Sequence, residues 1–267
     1  MTTERRKIEL PEICRVEGHS AVTVDIVDGA VADVQLEVFE GTRFFERIVI
    51  GHKFDEIAHI TSRVCAICST GHVLAASYAL ERIFKLSVNE KVRLFRELMH
   101  LGMIIESHAT HVCALALPDF LGCSNILQFA TEHSREFDIW TRLRKLGAEI
   151  QTVVGGRPFH PINLKIGGFS HFPDHTQLGQ LKQALRESQE TALQLWQTVN
   201  NFRLPVDKTT ETTYLALTPD HPGYGYFGRT ISSSSGWTAD VSEYKNYLNE
   251  TVVPYSHAKR STVDGKP

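Results

Sequence analysis

The chain has 267 residues, of which 42% are hydrophobic and 22% are charged, and its formal net charge is −3. These values are typical of a globular protein, and the balance of charge argues against nucleic acid or an anionic membrane surface as a partner. Five cysteines, no apolar run of about 20 residues and no apolar stretch behind the charged N-terminus predict a cytoplasmic protein without a transmembrane segment or a secretory signal.

The first 60 residues predict a small antiparallel sheet followed by short helices. Residues 21–27 alternate between apolar and polar side chains, Asp28-Gly29 is typical of a two-residue hairpin turn, and residues 31–39 alternate in the same way. Short helical segments are expected at 41–50 and at 54–59.

A Cys-x-x-Cys motif stands at the start of the next predicted helix. Cys65 and Cys68 precede apolar residues at helical spacing over 73–84, and His72 follows the second cysteine by four positions. A helix N-terminus and the nearby Arg63 favour the thiolate over the thiol. Thiolates are soft ligands for nickel, zinc or the iron of iron–sulfur clusters, so the pair alone leaves a metal site, a redox dithiol or an inert pair open.

Three long amphipathic helices predict a helical bundle. The first is capped by Asn89 and runs to about residue 117, where Pro118 ends it. The second covers about 131–153 and stops at Gly155-Gly156, and the third covers about 175–200. Helices of this length that pack side by side are typical of a bundle.

The remaining residues lose the helical period. Glycine, serine and aromatic side chains dominate 223–228 and 232–236, which predicts loops and short strands. Residues 261–267 are typical of a hairpin turn without its return strand. The expected fold is therefore mainly α with a small N-terminal β-sheet, an α+β arrangement built on a long-helix bundle.

Three spaced motifs occur within the first 72 residues. They are Arg15-x-Glu17-Gly18-His19, Arg43-x-x-Glu46 and Arg63-x-Cys65-x-x-Cys68-x-x-x-His72. Their order and spacing closely resemble the N-terminal signature of the nickel–iron hydrogenase large subunit. Further stretches at 106–120, 155–168 and 253–259 resemble later motifs of that family, so the resemblance covers the chain from residue 13 onward.

The resemblance implies a large-subunit fold that we divide into three segments. Residues 1–60 hold the sheet and the Arg-x-Glu-Gly-His motif, 61–201 hold the bundle with the Cys-x-x-Cys, and 202–267 form an irregular, apparently truncated segment. The implied reaction is reversible heterolytic cleavage of dihydrogen, with electrons passed to iron–sulfur clusters of a small subunit. Maturation proteins and a separate C-terminal polypeptide are further expected partners. A zinc-binding structural protein and a catalytically incompetent truncated or scaffold subunit remain alternatives.

The resemblance also assigns a role to each cysteine of the pair. Cys65 would bind nickel as a terminal ligand. Cys68 would bridge nickel to an iron that carries carbon monoxide and cyanide. Arg63 would keep the thiolates ionised or form a structural salt bridge. The alternative for the pair is a zinc half-site or two inert buried thiols.

Other site residues are expected to act around this centre. Glu17 would relay a proton, His72 would donate a hydrogen bond to the bridging sulfur, and Glu46 would bind magnesium. The alternatives are a solvated glutamate, a histidine bonded to backbone and a surface ion pair. His160 and Asn163 are expected to fix a loop near the centre. His108 and His111 could ligate a metal, but packing against neighbouring helices is favoured.

Two departures from the family pattern stand out. Ala66 replaces the glycine that usually follows the first cysteine, and its methyl group could crowd the metal. The family's second Cys-x-x-Cys is absent, and Cys14, Cys113 and Cys123 are not spaced to replace it. Because the family centre uses four thiolates, we expect residues 1–267 alone to be inactive, to hold no nickel–iron centre and to associate through exposed apolar surface.

Overall fold

A computed structural model describes residues 4–14, 16, 18–203, 211–219 and 227–263, with the side chain of Thr42 left out. The chain forms two compact units, one from residues 1–48 with 208–267 and the other from residues 49–207. Within the described ranges, no helix is both long and apolar enough to cross a bilayer. The division into three segments stays a prediction.

Helices dominate the described residues, and short antiparallel strands complete them, as the expected mainly α fold requires. The helices are α1 Thr42–Ile48, α2 Phe54–Thr61, α3 Ser69–Ile83, α4 Glu90–Thr110, α5 Leu117–Phe120, α6 Ile126–Glu132, α7 Ser134–Gly155 and α8 His175–Asn200. The strands are β1 Arg5–Leu10, β2 Ser20–Val27, β3 Ala30–Val38, β4 Leu164–Lys165, β5 Gly168–Phe169, β6 Leu215–Thr218, β7 Thr230–Ser233, β8 Thr238–Asp240, β9 Leu248–Val253 and β10 Ser256–Val263.

The first unit contains the predicted N-terminal hairpin. β2 and β3 pair in antiparallel fashion, and the turn between them has positive φ at Asp28 (49°) and Gly29 (79°). Positive φ at both central residues matches the twist of the flanking strands, so the Asp-Gly prediction is confirmed. β1 adds a third strand on the other side of β2, which the sequence did not predict because its side chains are mostly charged and exposed.

The C-terminal part of the first unit is built of short strands, as expected. β6, β7 and β8 form a three-stranded sheet, and β9 pairs with β10. Ser256 lies at the start of β10, and its hydroxyl oxygen accepts a hydrogen bond of 2.9 Å from the Val38 N–H of β3. Residues 261–263 belong to β10 and pair with β9, whereas 264–267 lie outside the described residues.

In the second unit, the first long helix is not the single α-helix that its sequence predicted. Asn89 caps α4 as expected, since its side-chain oxygen accepts a 2.9 Å hydrogen bond from the Val92 N–H. At His111 the helix changes to a π-helical segment that runs to Ala116 and leads into α5. The wider π turns change the phase of the side chains, and Cys113 becomes fully buried. Pro118 does not end the helix, because in the first turn of α5 its missing N–H costs nothing.

The second predicted helix is also divided. Its expected start at Thr131 lies inside α6, and α7 begins only at Ser134, after a break at His133. Asn125 explains the separate helix, since its side-chain oxygen caps α6 by accepting the Gln128 N–H at 2.9 Å. Two other boundaries are confirmed: α7 ends at the left-handed Gly156, and α8 spans 175–200.

The core of the second unit forms where α4 crosses α7. Gly102 and Gly147 permit this approach, because a Cβ atom on Gly147 would lie 2.5 Å from the Gly102 carbonyl oxygen. α3 packs on the same core through Val73 and Leu74, together with Met99. The crossing therefore fixes the body on which the N-terminal end of α3 rests.

Candidate metal centre

The two cysteines of the motif occupy a tight loop at the N-terminus of α3. A short 3₁₀ helix over Ser62–Val64 leads into Cys65, which is extended, and Cys68 is the residue directly before α3. The Cys68 N–H points at the Cys65 sulfur at 3.3 Å. Cys65 is buried and Cys68 half-buried. An N–H donor at a helix N-terminus stabilises negative charge, so the loop suits a thiolate at Cys65.

His160 holds the loop from both sides. Its backbone N–H donates to the Ser69 hydroxyl at 2.9 Å, and its Nδ1 lies 2.8 Å from the Ser62 carbonyl oxygen. A carbonyl only accepts, so Nδ1 carries the hydrogen. His160 itself adopts a left-handed conformation, with φ of 52°, which histidine rarely adopts outside constrained sites. The two serines flank the cysteines, so His160 fixes both ends of the loop.

Asn163 in turn fixes the segment that carries His160. Its side-chain amide donates to the carbonyls of Val154 and His171, each at 2.8 Å, and accepts the His171 N–H at 3.1 Å. Only 2% of Asn163 is exposed. Buried amide groups of this kind persist only when their hydrogen bonds are made, so Asn163 sets one conformation. The expectation that His160 and Asn163 fix a loop is confirmed.

A chain of buried polar side chains runs from the N-terminal end of α3 to the surface. The Thr70 hydroxyl donates to Gln151 at 2.9 Å, and the Gln151 amide donates to Glu106 at 2.7 Å. Glu106 lies 3.6 Å from the half-exposed guanidinium of Arg144. Burial raises the pKa of the Glu106 carboxyl above its ordinary value, although Arg144 and Gln151 pull it down.

The sequence did not predict this chain of polar side chains. Glu106 stands in a stretch that resembles a family motif, but that resemblance implied no role for it. Gln151 gave a weak signal, because it occupies an otherwise apolar stripe of α7 that includes Gly147 and Val154. A polar residue at a core position requires a buried partner, and Glu106 on α4 supplies it.

His72 and Arg63 differ in their surroundings. His72, in the first turn of α3, is half-buried, and burial lowers the pKa of its imidazole. It is therefore neutral near pH 7 and carries one N–H for donation. Arg63 is exposed and forms no ion pair within the described part of the chain, which leaves its expected effect on the thiolates a prediction.

The other predicted site residues are less well defined by the geometry. Glu17 lies outside the described residues, together with Arg15. Glu46 belongs to the first unit, where its carboxylate forms an exposed ion pair with Arg43 at 3.2 Å. His108 and His111 are both exposed, so the expected packing against neighbouring helices was wrong. Both stand on the outer side of the helix, away from the contact between α4 and α7 that buries Glu106 and Ala109.

Comparison with known proteins identifies relatives along nearly the whole chain. Residues 43–146 match the family model described as nickel-dependent hydrogenase. The alpha subunit of sulfhydrogenase 1 from Pyrococcus furiosus is 35% identical over 97% of this chain and 61% of its own length. A subunit of the vhu F420-non-reducing hydrogenase from Methanocaldococcus jannaschii is 32% identical over 95% of this chain and 65% of its own length. The chain thus spans less than two thirds of the length of these relatives.

Solved structures agree with these relatives. An NAD⁺-reducing [NiFe]-hydrogenase in the H₂-reduced state superposes with a TM-score of 0.86 at 26% identity, covering 98% of this chain and 63% of that one. The Ni-Fe-Se hydrogenase of D. vulgaris Hildenborough shares the fold, with a TM-score of 0.77 at 19% identity, over 98% of this chain and 64% of that one. With the cysteine loop, the sequence matches and the shared fold taken together, the chain belongs to the nickel-dependent hydrogenase family.

Proposed function

We propose that this chain supplies part of a nickel–iron centre that cleaves dihydrogen reversibly and heterolytically, into a proton and a hydride. The observation that carries the proposal is the loop at the start of α3, where the Cys65 sulfur accepts the Cys68 N–H. Relatives that are named hydrogenase subunits match the segment containing this loop. Two sulfur donors in one turn are the natural ligands of a soft or borderline metal.

The donor set fits this group. Cys65 is shielded from solvent, whereas Cys68 is half-buried, which supports a terminal role for the first sulfur and a bridging role for the second. The bound nickel–iron group, with carbon monoxide and cyanide on iron, would supply the Lewis-acid chemistry that polarises dihydrogen. His72 is neutral and carries an N–H that could hydrogen-bond to the Cys68 sulfur, which would tune the basicity of the ligand.

Glu17 is proposed as the residue that carries the proton away from the cysteine ligands. A carboxylate can accept and release a proton, whereas an amide cannot, so the Glu17→Gln variant should keep its nickel but lose proton exchange. Hydrogen–deuterium exchange by the purified complex measures this step. Unchanged exchange in the variant would remove Glu17 from the relay.

Partners and further ions follow from the same proposal. The electrons require clusters that this chain does not ligate, so an iron–sulfur small subunit is the proposed acceptor. Glu46 is proposed to bind magnesium in place of its ion pair with Arg43, and maturation proteins would insert the metals. A second polypeptide with two more thiolates would complete the ligand set.

Metal analysis of the purified complex tests the function. We expect nickel and iron in the wild type and the loss of both nickel and dihydrogen uptake in Cys65→Ser and Cys68→Ser, because a hydroxyl replaces a soft thiolate. The matched control is Cys14→Ser, which changes an exposed cysteine of the first unit. Zinc in place of nickel would support a structural zinc protein, and a metal-free complex would support a scaffold subunit.

A further inference from the structure

A second group of metal-ligating side chains lies outside the cysteine loop. Cys123, Glu132 and His133 place one ligand atom each, a thiol sulfur, a carboxylate oxygen and a ring nitrogen, within 4.8 Å of one another. Cys123 comes from the loop after α5, and the other two come from the C-terminal end of α6. Nothing in the proposed hydrogenase function uses these residues.

Neighbouring groups hold the three side chains in place. The Gln128 side-chain amide donates to both carboxylate oxygens of Glu132 at 3.2 Å, and the side-chain oxygen of Gln128 accepts the Ser124 N–H at 2.9 Å. Gln128 therefore connects the loop of Cys123 to Glu132. Outer groups that orient metal ligands in this way are typical of built metal sites.

The imidazole of His133 is also oriented by its surroundings. It stacks on Phe129 with a centroid separation of 6.1 Å and an interplanar angle of 26°. Phe129 is completely buried and packs in the same core cluster as Cys123. His133 itself is half-buried and breaks the chain between α6 and α7, so its position is set by the fold.

We propose that Cys123, Glu132 and His133 bind a divalent transition-metal ion of the zinc class, with solvent as a fourth ligand. Thiolate, imidazole and carboxylate together are a zinc-type donor set. Tetrahedral coordination places ligand atoms roughly 3.5 Å apart, so binding would draw the three atoms together by about 1 Å.

Charge supports the same occupant. A thiolate at Cys123 would lie beside the Glu132 carboxylate, and both burial and that carboxylate raise the pKa of the thiol. A divalent cation offsets the two negative charges, and the thiol proton is released to solvent as the metal–sulfur bond forms. The site connects the loop after α5 to the junction of α6 and α7, so an ion there would fix this corner of the second unit.

Cobalt binding to the full chain tests the proposal. Cys65→Ala/Cys68→Ala serves as the background, because it removes the other thiolate pair. We expect one equivalent of Co²⁺ to bind with a thiolate-to-cobalt absorption band and four-coordinate ligand-field bands, and one equivalent of Zn²⁺ to displace it. Cys123→Ser should abolish the charge-transfer band, and His133→Gln should weaken binding by more than about tenfold.

Two controls keep the outcome clear. Cys14→Ser changes an exposed thiol of the first unit and should leave the cobalt spectrum unaltered. Gln128→Ala should keep the band but weaken binding by about tenfold, since it removes only the hydrogen bonds that orient Glu132. His133→Gln changes a half-buried side chain, so it reports on the site even if Cys123→Ser fails to fold. A band that persists in Cys123→Ser, or a folded background variant that binds no cobalt, would overturn the proposal.

Discussion

His160 shows how single residues hold the cysteine loop. Its ring bonds to the Ser62 carbonyl and its backbone bonds to the Ser69 hydroxyl, so one residue joins the two ends of a loop whose sulfurs are the proposed ligands. Such residues do no chemistry themselves, but they limit the motion of those that do. The strained backbone of His160 is therefore compensated by the order that it imposes on the loop.

His160→Ala should destabilise the protein by about 1–3 kcal/mol, because it leaves the buried Ser62 carbonyl without its donor. His160→Asn should recover part of the loss, since asparagine tolerates the left-handed region and offers an amide donor. Urea unfolding and the nickel content of the complex measure the two effects. His108→Ala, which changes an exposed histidine, is the control. An alanine variant with unaltered stability and nickel content would contradict the role.

Glu106 gives a pH-dependent prediction. Burial raises the pKa of its carboxyl above 4.5, so the folded protein binds this proton more tightly than the unfolded chain does. The resulting stabilisation is complete below the unfolded pKa and is lost as the pH rises through the folded pKa. Glu106→Gln cannot ionise and can still accept from Gln151. Relative to wild type, its free energy of unfolding should therefore rise from about pH 4 to about pH 8. A difference that is independent of pH would refute this explanation.

At the scale of elements, the crossing of α4 and α7 depends on glycine. A Cβ on Gly147 would meet the Gly102 carbonyl oxygen at 2.5 Å and the Glu106 nitrogen at 2.6 Å, and backbone atoms cannot move aside cheaply. Gly147→Ala should therefore destabilise the protein by about 1–3 kcal/mol in denaturant unfolding. It should also disturb the pairing of Gln151 with Glu106, which lies next to this crossing.

Gly179 on α8 provides the matched control. It is exposed, and an added Cβ would meet no atom within 4 Å. Gly179→Ala should stabilise the protein by up to about 1 kcal/mol, because alanine loses less backbone entropy in a helix. Opposite signs for the two substitutions would show that the close approach of the helices, and not helix propensity, decides the effect at Gly147. Equal signs would contradict it.

Local signals explain which elements could be predicted from the sequence. The Asp28-Gly29 turn, the Asn89 cap, the stop at Gly156 and the limits of α8 all depend on residues within a few positions of one another. The π-helical segment at 111–116 could not be predicted, because it follows from tertiary packing that hydrophobic periodicity does not encode.

The candidate site shows the same division. Cys65, Cys68 and His72 could be predicted because they are close in sequence and resemble a family motif. Gln151 lies 81 positions from Thr70, and His160 lies 98 positions from Ser62. Pairings over such distances depend on how the helices cross, and one sequence carries no pattern for them.

At the scale of the whole molecule, the cysteines are distributed among separate environments. Cys65 and Cys68 share one loop, Cys113 and Cys123 lie in a core cluster with Leu117 and Phe129, and Cys14 is exposed in the first unit. Burial raises the pKa of the Cys113 thiol to about 12, so it does not ionise near neutral pH. Within the 267 residues, the geometry thus assigns only two thiolates to the proposed centre.

The last prediction concerns the polypeptide of residues 1–267 expressed by itself. The resemblance implies a centre with four thiolates, and two sulfurs would leave nickel open to water and to exchange. We therefore expect the isolated polypeptide to hold no stoichiometric nickel and to take up no dihydrogen, while a second polypeptide that carries a Cys-x-x-Cys should restore both. Metal analysis and dihydrogen uptake, before and after the addition, measure this. Stoichiometric nickel with turnover in the isolated polypeptide would show that the missing ligands come from within these residues, and Cys14→Ser and Cys113→Ser would then identify them.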